Sequence, residues 1–212
     1  MKKILGSFLM LSIGLGTVNA QVKNDPEAKK VLDGVSTKFK TYSTVQSNFA
    51  LKIENAAGKT LSTKKGTVYM KGARYRISFP GQEIFSDGSN VWTYDQGVKE
   101  CTITKIDPSA NSITPQKLFT NFYDRDFLYK LNSTAKSANK EIELTPTDKS
   151  KPFFKALLTV NNSNIVSTKI FEKSGNRFTY STSGLVANKP IADAMFVFDP
   201  KKYPGVEITD LR

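Results

Sequence analysis

The chain has 212 residues and a formal net charge of +12, from 31 Lys and Arg against 19 Asp and Glu, and it contains no histidine. Without histidine, Ser-His-Asp and Cys-His catalysis and most zinc sites are excluded. With one cysteine, Cys101, an internal disulfide is excluded as well.

The first stretch, MKKILGSFLMLSIGLGTVNA, has the charged start Lys2-Lys3, an apolar run from Ile4 to Leu15 and the small residues of Val18-Asn19-Ala20. It reads as a secretory signal peptide, residues 1–20, cleaved after Ala20. The alternative is a membrane anchor, but the apolar run is shorter than the about 20 residues a span needs. No cysteine flanks Ala20, so lipidation at the new N-terminus is not expected. Residues 21–212 suit one domain with its own core. A secreted basic chain points to anionic lipid or an acidic partner rather than nucleic acid. The lysines are scattered, as in Lys29-Lys30, Lys64-Lys65 and Lys201-Lys202, and also fit a plain solvated surface.

Asp25-Pro26 is an N-cap followed by a proline at the first helical position. Ala28, Val31, Leu32, Val35, Phe39 and Tyr42 then recur at helical spacing. From Val45 the period becomes two. Val45, Phe49, Leu51 and Ile53 share one face, and Asn55 to Gly58 turns the chain. Val68 and Met70 share a face of the next strand. In the third, Tyr75, Ile77 and Phe79 alternate with Arg74, Arg76 and Ser78. Glu83–Ser86 and Val91–Tyr94 flank Asp87-Gly88 as a hairpin, and a strand from about Lys99 to Ile106 follows. Within it, Cys101 reads as a small buried apolar residue.

Asp107 to Thr114 is turn-like, and Pro115 opens a short helix with Leu118, Phe119 and Phe122. Further strands are expected at Phe127–Leu131, Glu141–Thr145, Phe154–Val160, Ile165–Glu172 and Arg177–Ser183. A last strand is expected at Met195–Phe198, before a tail through Gly205-Val206-Glu207-Ile208.

This describes a mainly β domain of about 10–11 antiparallel strands with two helices. That many twisted strands curl into a barrel or half-barrel, and above about eight strands the interior outgrows its side chains. Helices, a ligand or both must fill it. The carboxylate pairs Glu141/Glu143 and Asp124/Asp126 sit two residues apart on a strand or turn, where charges face water. No glycine-rich phosphate loop and no metal-binding carboxylate cluster is present. The expectation is binding without catalysis, metal or cofactor.

Three stretches resemble the periplasmic lipoprotein carriers of the LolA/LolB type. They are the hairpin EIFSDGSNVWTYD, the end ADAMFVFDPKKYPGVEITDL, and the helix followed by Phe39, Tyr42, Val45 and Phe49. The resemblance spans nearly all of residues 21–212. It implies an incomplete, curved β-barrel closed by a helical lid over an apolar cavity. The implied function is a periplasmic chaperone that shields the acyl chains of lipoproteins. It would carry them, as a monomer, from an ATP-driven inner-membrane release complex to an outer-membrane acceptor. The missing cysteine at Ala20-Gln21 matches the soluble carrier rather than the lipidated acceptor. The alternative is a periplasmic carrier or sensor of another lipid or amphiphile.

The expected acyl-chain wall is Val31, Leu32, Val35 and Phe39 from the first helix, Tyr75, Ile77 and Phe79, Trp92 and Tyr94, and Leu118, Phe119 and Phe122. Each of these also reads as ordinary core. The family's lid arginine, followed by proline, is replaced here by Lys71-Gly72-Ala73. Arg74 and Arg76 are the nearest substitutes, with a bulge at Gly72-Ala73 as the device that would turn Arg76 inward.

Overall fold

The computed structural model describes residues 24–106, 126–132 and 137–212. The expected signal segment and the helix expected after Pro115, with Leu118, Phe119 and Phe122, lie outside them. Helix α1 (Pro26–Lys40) begins as its sequence dictates. The Asp25 carboxylate accepts hydrogen bonds from the Glu27 and Ala28 amides at 2.9 and 3.4 Å.

Among the described residues twelve strands follow: β1 (Val45–Glu54), β2 (Thr60–Lys71), β3 (Arg74–Phe79), β4 (Gln82–Ser86), β5 (Asn90–Asp95), β6 (Glu100–Lys105), β7 (Phe127–Leu131), β8 (Asn139–Pro146), β9 (Phe153–Asn161), β10 (Asn164–Glu172), β11 (Arg177–Ala187) and β12 (Glu207–Asp210). They form one sheet in the order β12-β6-β5-β4-β3-β2-β1-β11-β10-β9-β8-β7, with open ends. It is therefore not one simple meander. Two runs of hairpins, β1–β6 and β7–β11, are joined at the centre by β1 against β11.

Three expectations are corrected. Met195–Phe198 is not a strand: Asp193–Phe196 is a 3-10 turn, where Ala192 accepts from the Met195 amide. The tail instead supplies β12, which runs parallel to β6, so the sheet is not wholly antiparallel. Gly72-Ala73 is a two-residue turn between the paired Lys71 and Arg74 rather than a bulge; Gly72 takes the left-handed φ of 56° that this turn demands.

The sheet's curvature follows from what α1 touches. At one end Ala28, Leu32 and Val35 pack with Phe127 and Tyr129 of β7 and with Ile142, Leu144, Leu158 and Val160. At the other, Phe39 packs against the cluster of Val45, Met70 and Tyr75. Seven strand spacings separate β3 from β7, about 34 Å if the sheet were flat. A 15-residue helix is about 22 Å long. One helix reaches both only because the sheet wraps around it. Gly66 helps: a Cβ there would come within 2.1 Å of the Ser78 carbonyl oxygen and 2.9 Å of the Phe49 ring, so only glycine lets that ring and β3 approach so closely.

Candidate functional site

Register assigns every strand residue to the concave face, toward α1, or to the convex one. Tyr75 pairs with Met70 and Ile77 with Val68, and Met70 and Val68 pair with Val45 and Ser47. These side chains are concave. Phe49, Leu51 and Ile53 continue the row on β1, and Phe178 and Tyr180 face it from β11. All five are half-buried, and Phe49 meets Phe79 edge-on at 6.4 Å between ring centres. A band of incompletely covered apolar side chains therefore runs across β3, β2, β1 and β11. The Lys64 ammonium lies 5.0 Å from the centre of the Phe79 ring.

The expected wall residues separate into three groups. Tyr75, Ile77 and Phe79 lie on the concave face, where Tyr75 belongs to the buried cluster against which both Ile77 and Phe39 of α1 pack. Val31, Leu32 and Val35 are concave too, but sit in the packed core between α1 and β7–β10. Trp92 and Tyr94 are on the opposite face. Trp92 pairs with Phe85, which pairs with Arg76, the alternate neighbour of Ile77. Both belong to a cluster of Phe85, Cys101, Ile103 and Phe198. The Tyr94 ring lies 5.5 Å from Phe198 and 4.5 Å from Tyr203. The aromatic hairpin is thus core for the C-terminal segment. Cys101 is fully buried there, and burial pushes its thiol up to about 11, which keeps it protonated and unreactive.

The band's own residues on β1 and β11 were missed as site candidates, although a signal existed. Phe178 and Tyr180 alternate with polar residues, and Phe49, Leu51 and Ile53 recur at period two around the small Ala50 and the charged Lys52. Alternation shows a shared face but not how well that face is covered.

An open cleft of about 260 Å³ sits where α1 ends, lined by Phe39, Tyr42, Thr44, Val45, Met70 and Gly72. It is smaller than the about 300–1,000 Å³ typical of ligand pockets.

Polar contacts tie α1 and the residues just before it to the β7–β10 half. The Leu131 amide donates to the Asp25 carboxylate at 2.9 Å and the Tyr129 amide to the Asn24 side chain at 3.0 Å. The Lys38 ammonium donates to the Asn162 carbonyl at 2.7 Å. The Leu131 amide, foremost, holds the Asp25 carboxyl below its ordinary range. Against β2 and β3, α1 places the aromatic side chain of Phe39.

The two arginines expected to hold the lid are engaged elsewhere. Arg74 pairs with Asp193 at 2.7 Å, as does Lys71. Hydrogen bonds from Lys71 and Arg74 together lower the Asp193 carboxyl to about 2. Arg76 pairs with Glu83 at 2.7 Å and lies over the Phe85 ring, its guanidinium carbon 4.8 Å from the centre. The Tyr203 hydroxyl donates to the other Glu83 oxygen. Burial opposes the charge on Glu83, but the bonds from Tyr203 and Arg76 outweigh it and hold the carboxyl below its usual value. Both arginines therefore fasten the convex side.

Comparison with known proteins agrees with this architecture. Residues 40–199 match the family model described as outer membrane lipoprotein carrier protein LolA. The chain is 25% identical over 199 residues to an outer-membrane lipoprotein carrier protein of Pseudomonas putida strain GB-1, covering 92% of this chain and 93% of that one. It is 27% identical over 193 residues to the carrier protein of Pectobacterium carotovorum strain PC1, covering 88% and 89%. Among solved structures, an uncharacterized conserved protein from Thermus thermophilus shares the fold with a TM-score of 0.54 at 11% identity, over 87% of this chain and 99% of that one.

Proposed function

We propose, from the premise that this chain belongs to the LolA family of outer membrane lipoprotein carrier proteins, that its concave band holds lipoprotein acyl chains during transfer across the periplasm. The observation behind this reading is the row of half-buried Phe49, Leu51, Ile53, Ile77, Phe79, Phe178 and Tyr180 on the face that α1 covers only in part. In this reading residues 1–20 are removed on export. An inner-membrane release complex driven by ATP loads the cargo, and an outer-membrane acceptor takes it.

The energetics favour a shallow, adaptable surface. A buried methylene is worth about 0.8 kcal/mol relative to water, so two or three long chains would gain more than the about 20 kcal/mol at which non-covalent binding saturates. Water is the wrong reference, because the chains pass from one apolar medium to another. The carrier has to beat water and only match its donor and acceptor. The cleft beside Phe39 is small for such chains, so loading requires α1 to lift from β2 and β3, where aromatic and aliphatic contact holds it. Its ties to β7–β10 then act as the hinge. When empty, the lid keeps the apolar band from aggregating.

Ile77→Glu tests the wall. A carboxylate on this face costs several kcal/mol if acyl chains are to cover it. The variant is expected to keep its thermal unfolding transition and to lose binding of a fluorescent fatty-acyl probe. Normal probe binding would remove Ile77 from the site. Native mass spectrometry of protein taken from the periplasm tests the cargo: a co-purified acylated protein supports the carrier, and a free lipid alone would replace it with a lipid carrier.

A further inference from the structure

The convex face carries a feature that acyl binding does not use. Five neighbouring strands, β2, β1, β11, β10 and β9, each place a basic residue on it: Lys65, Lys52, Arg177, Lys169 and Lys155. Register fixes this. Lys65 pairs with Ala50, two residues from Lys52, which in turn pairs with Thr179. Thr179 pairs with Lys169, and Phe171 pairs with both Arg177 and Lys155. Three of these cations converge on one ring. The Lys155 ammonium lies 4.6 Å from the Phe171 centre, the Lys169 ammonium and the Arg177 guanidinium carbon each 5.7 Å. Beside that ring stands Phe154, 52% exposed, with its centre 6.2 Å away.

The carboxylate inside this array, Glu54, is buried and already taken by Lys52 and Lys169 at 2.9 and 3.1 Å. Their ammoniums hold it ionised, below its usual range. The loops at the same end of the sheet add Lys59, Lys149 and Lys173, all exposed. Convergence of like charges costs repulsion unless an anion or a ring's negative face offsets it.

We propose that this convex basic face, with Phe154 as its apolar anchor, docks the protein on an anionic membrane surface. Charge complementarity calls for an anionic partner, and three further features select a lipid surface over an acidic protein. The cations are nearly all lysines, mobile point charges suited to a fluid array of headgroups, whereas recognition of a fixed carboxylate favours the planar arginine fork. They lie on a broad sheet face rather than in a pocket. An exposed phenylalanine among lysines matches the aromatic and basic composition that settles at a membrane interface. The opposite, concave face is left free, so a docked molecule keeps its hollow accessible.

Vesicle flotation tests this at low salt, comparing pure phosphatidylcholine with a phosphatidylcholine–phosphatidylglycerol mixture. Each basic residue near an anionic surface is worth about a fivefold change in partitioning. The wild-type protein is expected to float with the anionic vesicles only, and to be released by salt. Lys65→Glu with Lys155→Glu changes the charge by four units and is expected to weaken flotation at least about a hundredfold. Phe154→Ser is expected to weaken it severalfold. Circular dichroism and the thermal midpoint check that each variant is folded. The hollow is on the other face, so acyl-probe binding stays unchanged in all of them, whether or not the carrier reading holds. Wild-type protein that ignores anionic vesicles, or a doubly reversed variant that floats as well, overturns the proposal. So does binding to polyglutamate as tight as to vesicles with no loss in Phe154→Ser, which would make the face a site for acidic polypeptide.

Discussion

The two halves of the sheet bury opposite faces. In β7–β10 the concave face is the packed one, where Ile142, Leu144, Leu158 and Val160 lie nearly solvent-free under Leu32 and Val35 of α1. In β4–β6 the convex face is packed, with Phe85, Trp92, Tyr94, Cys101 and Ile103 under Phe198 and Tyr203. Between them, β1, β2 and β11 leave most of their concave apolar side chains half-covered; Val45 and Met70, in the cluster that Phe39 of α1 packs against, are the exceptions. A sheet whose core changes sides must leave, at the crossover, a stretch that neither cover reaches. The hollow is that stretch, and its walls are made by two separate cores rather than by one cavity in a single core.

Breaking either core gives the largest expected effects and separates the halves. Phe198 is 5% exposed, with ring centres of Phe85, Tyr94 and Tyr203 at 5.7, 5.5 and 4.6 Å. Phe198→Ala is expected to cost about 3–5 kcal/mol in urea unfolding, with acyl-probe binding of the folded protein unchanged. Leu32 is 2% exposed, and Leu32→Ala is expected to cost about 2–5 kcal/mol while also weakening probe binding, because it loosens the lid. Equal effects of both variants on probe binding would show that the two cores are not independent.

A smaller effect is expected at the hinge. Asp25→Ala removes the helix cap and the tie to the Leu131 amide together, at a cost of about 1–2 kcal/mol. It is expected to speed probe entry into the empty protein in stopped-flow measurements. Unchanged entry would mean that α1 moves from its other end.

The smallest effect belongs to the exposed pairs at Asp193, whose side chain is 60% accessible. The folded-state value of about 2 lies below the ordinary value of 3.8, so the pairing adds stability above pH about 4 and loses it as pH falls toward 2. Asp193→Asn is expected to lie slightly below wild type at neutral pH, with the gap closing over that window and in high salt. A gap that persists at pH 2 would mean that the contribution is not ionic.

Much of this plan was legible in the sequence, for physical reasons that can be named. Asp25-Pro26, Asp87-Gly88 and the alternation in Arg74–Phe79 act locally, and each forms the element its chemistry specifies. Trp92 and Tyr94 show where local reading stops. Period two fixes that they share a face but is silent on which cover that face meets. That depends on register across β3, β4 and β5 and on a C-terminal segment more than a hundred residues away. Met195–Phe198 shows the same limit: its short apolar run suits a strand, yet Phe196 and Phe198 are buried without ladder pairing, from a 3-10 turn and an extended link. Arg74 and Arg76, close in sequence to where a lid arginine was expected, sit on the face that α1 does not touch.

The pairing of β1 with β11 has a consequence for the order in which the molecule assembles. Phe49 pairs with Thr182, about 130 residues along the chain, whereas most other pairings join neighbours through short turns. The two hairpin arrays can collect their local contacts early, but the chain must close a very long loop before β1 and β11 meet. Non-local pairing of this kind slows folding. Until it forms, the long central strands β1 and β11 each present an edge of unpaired backbone N–H and C=O groups, so the chain is most open to sticking to its own copies at the moment just before its two halves join.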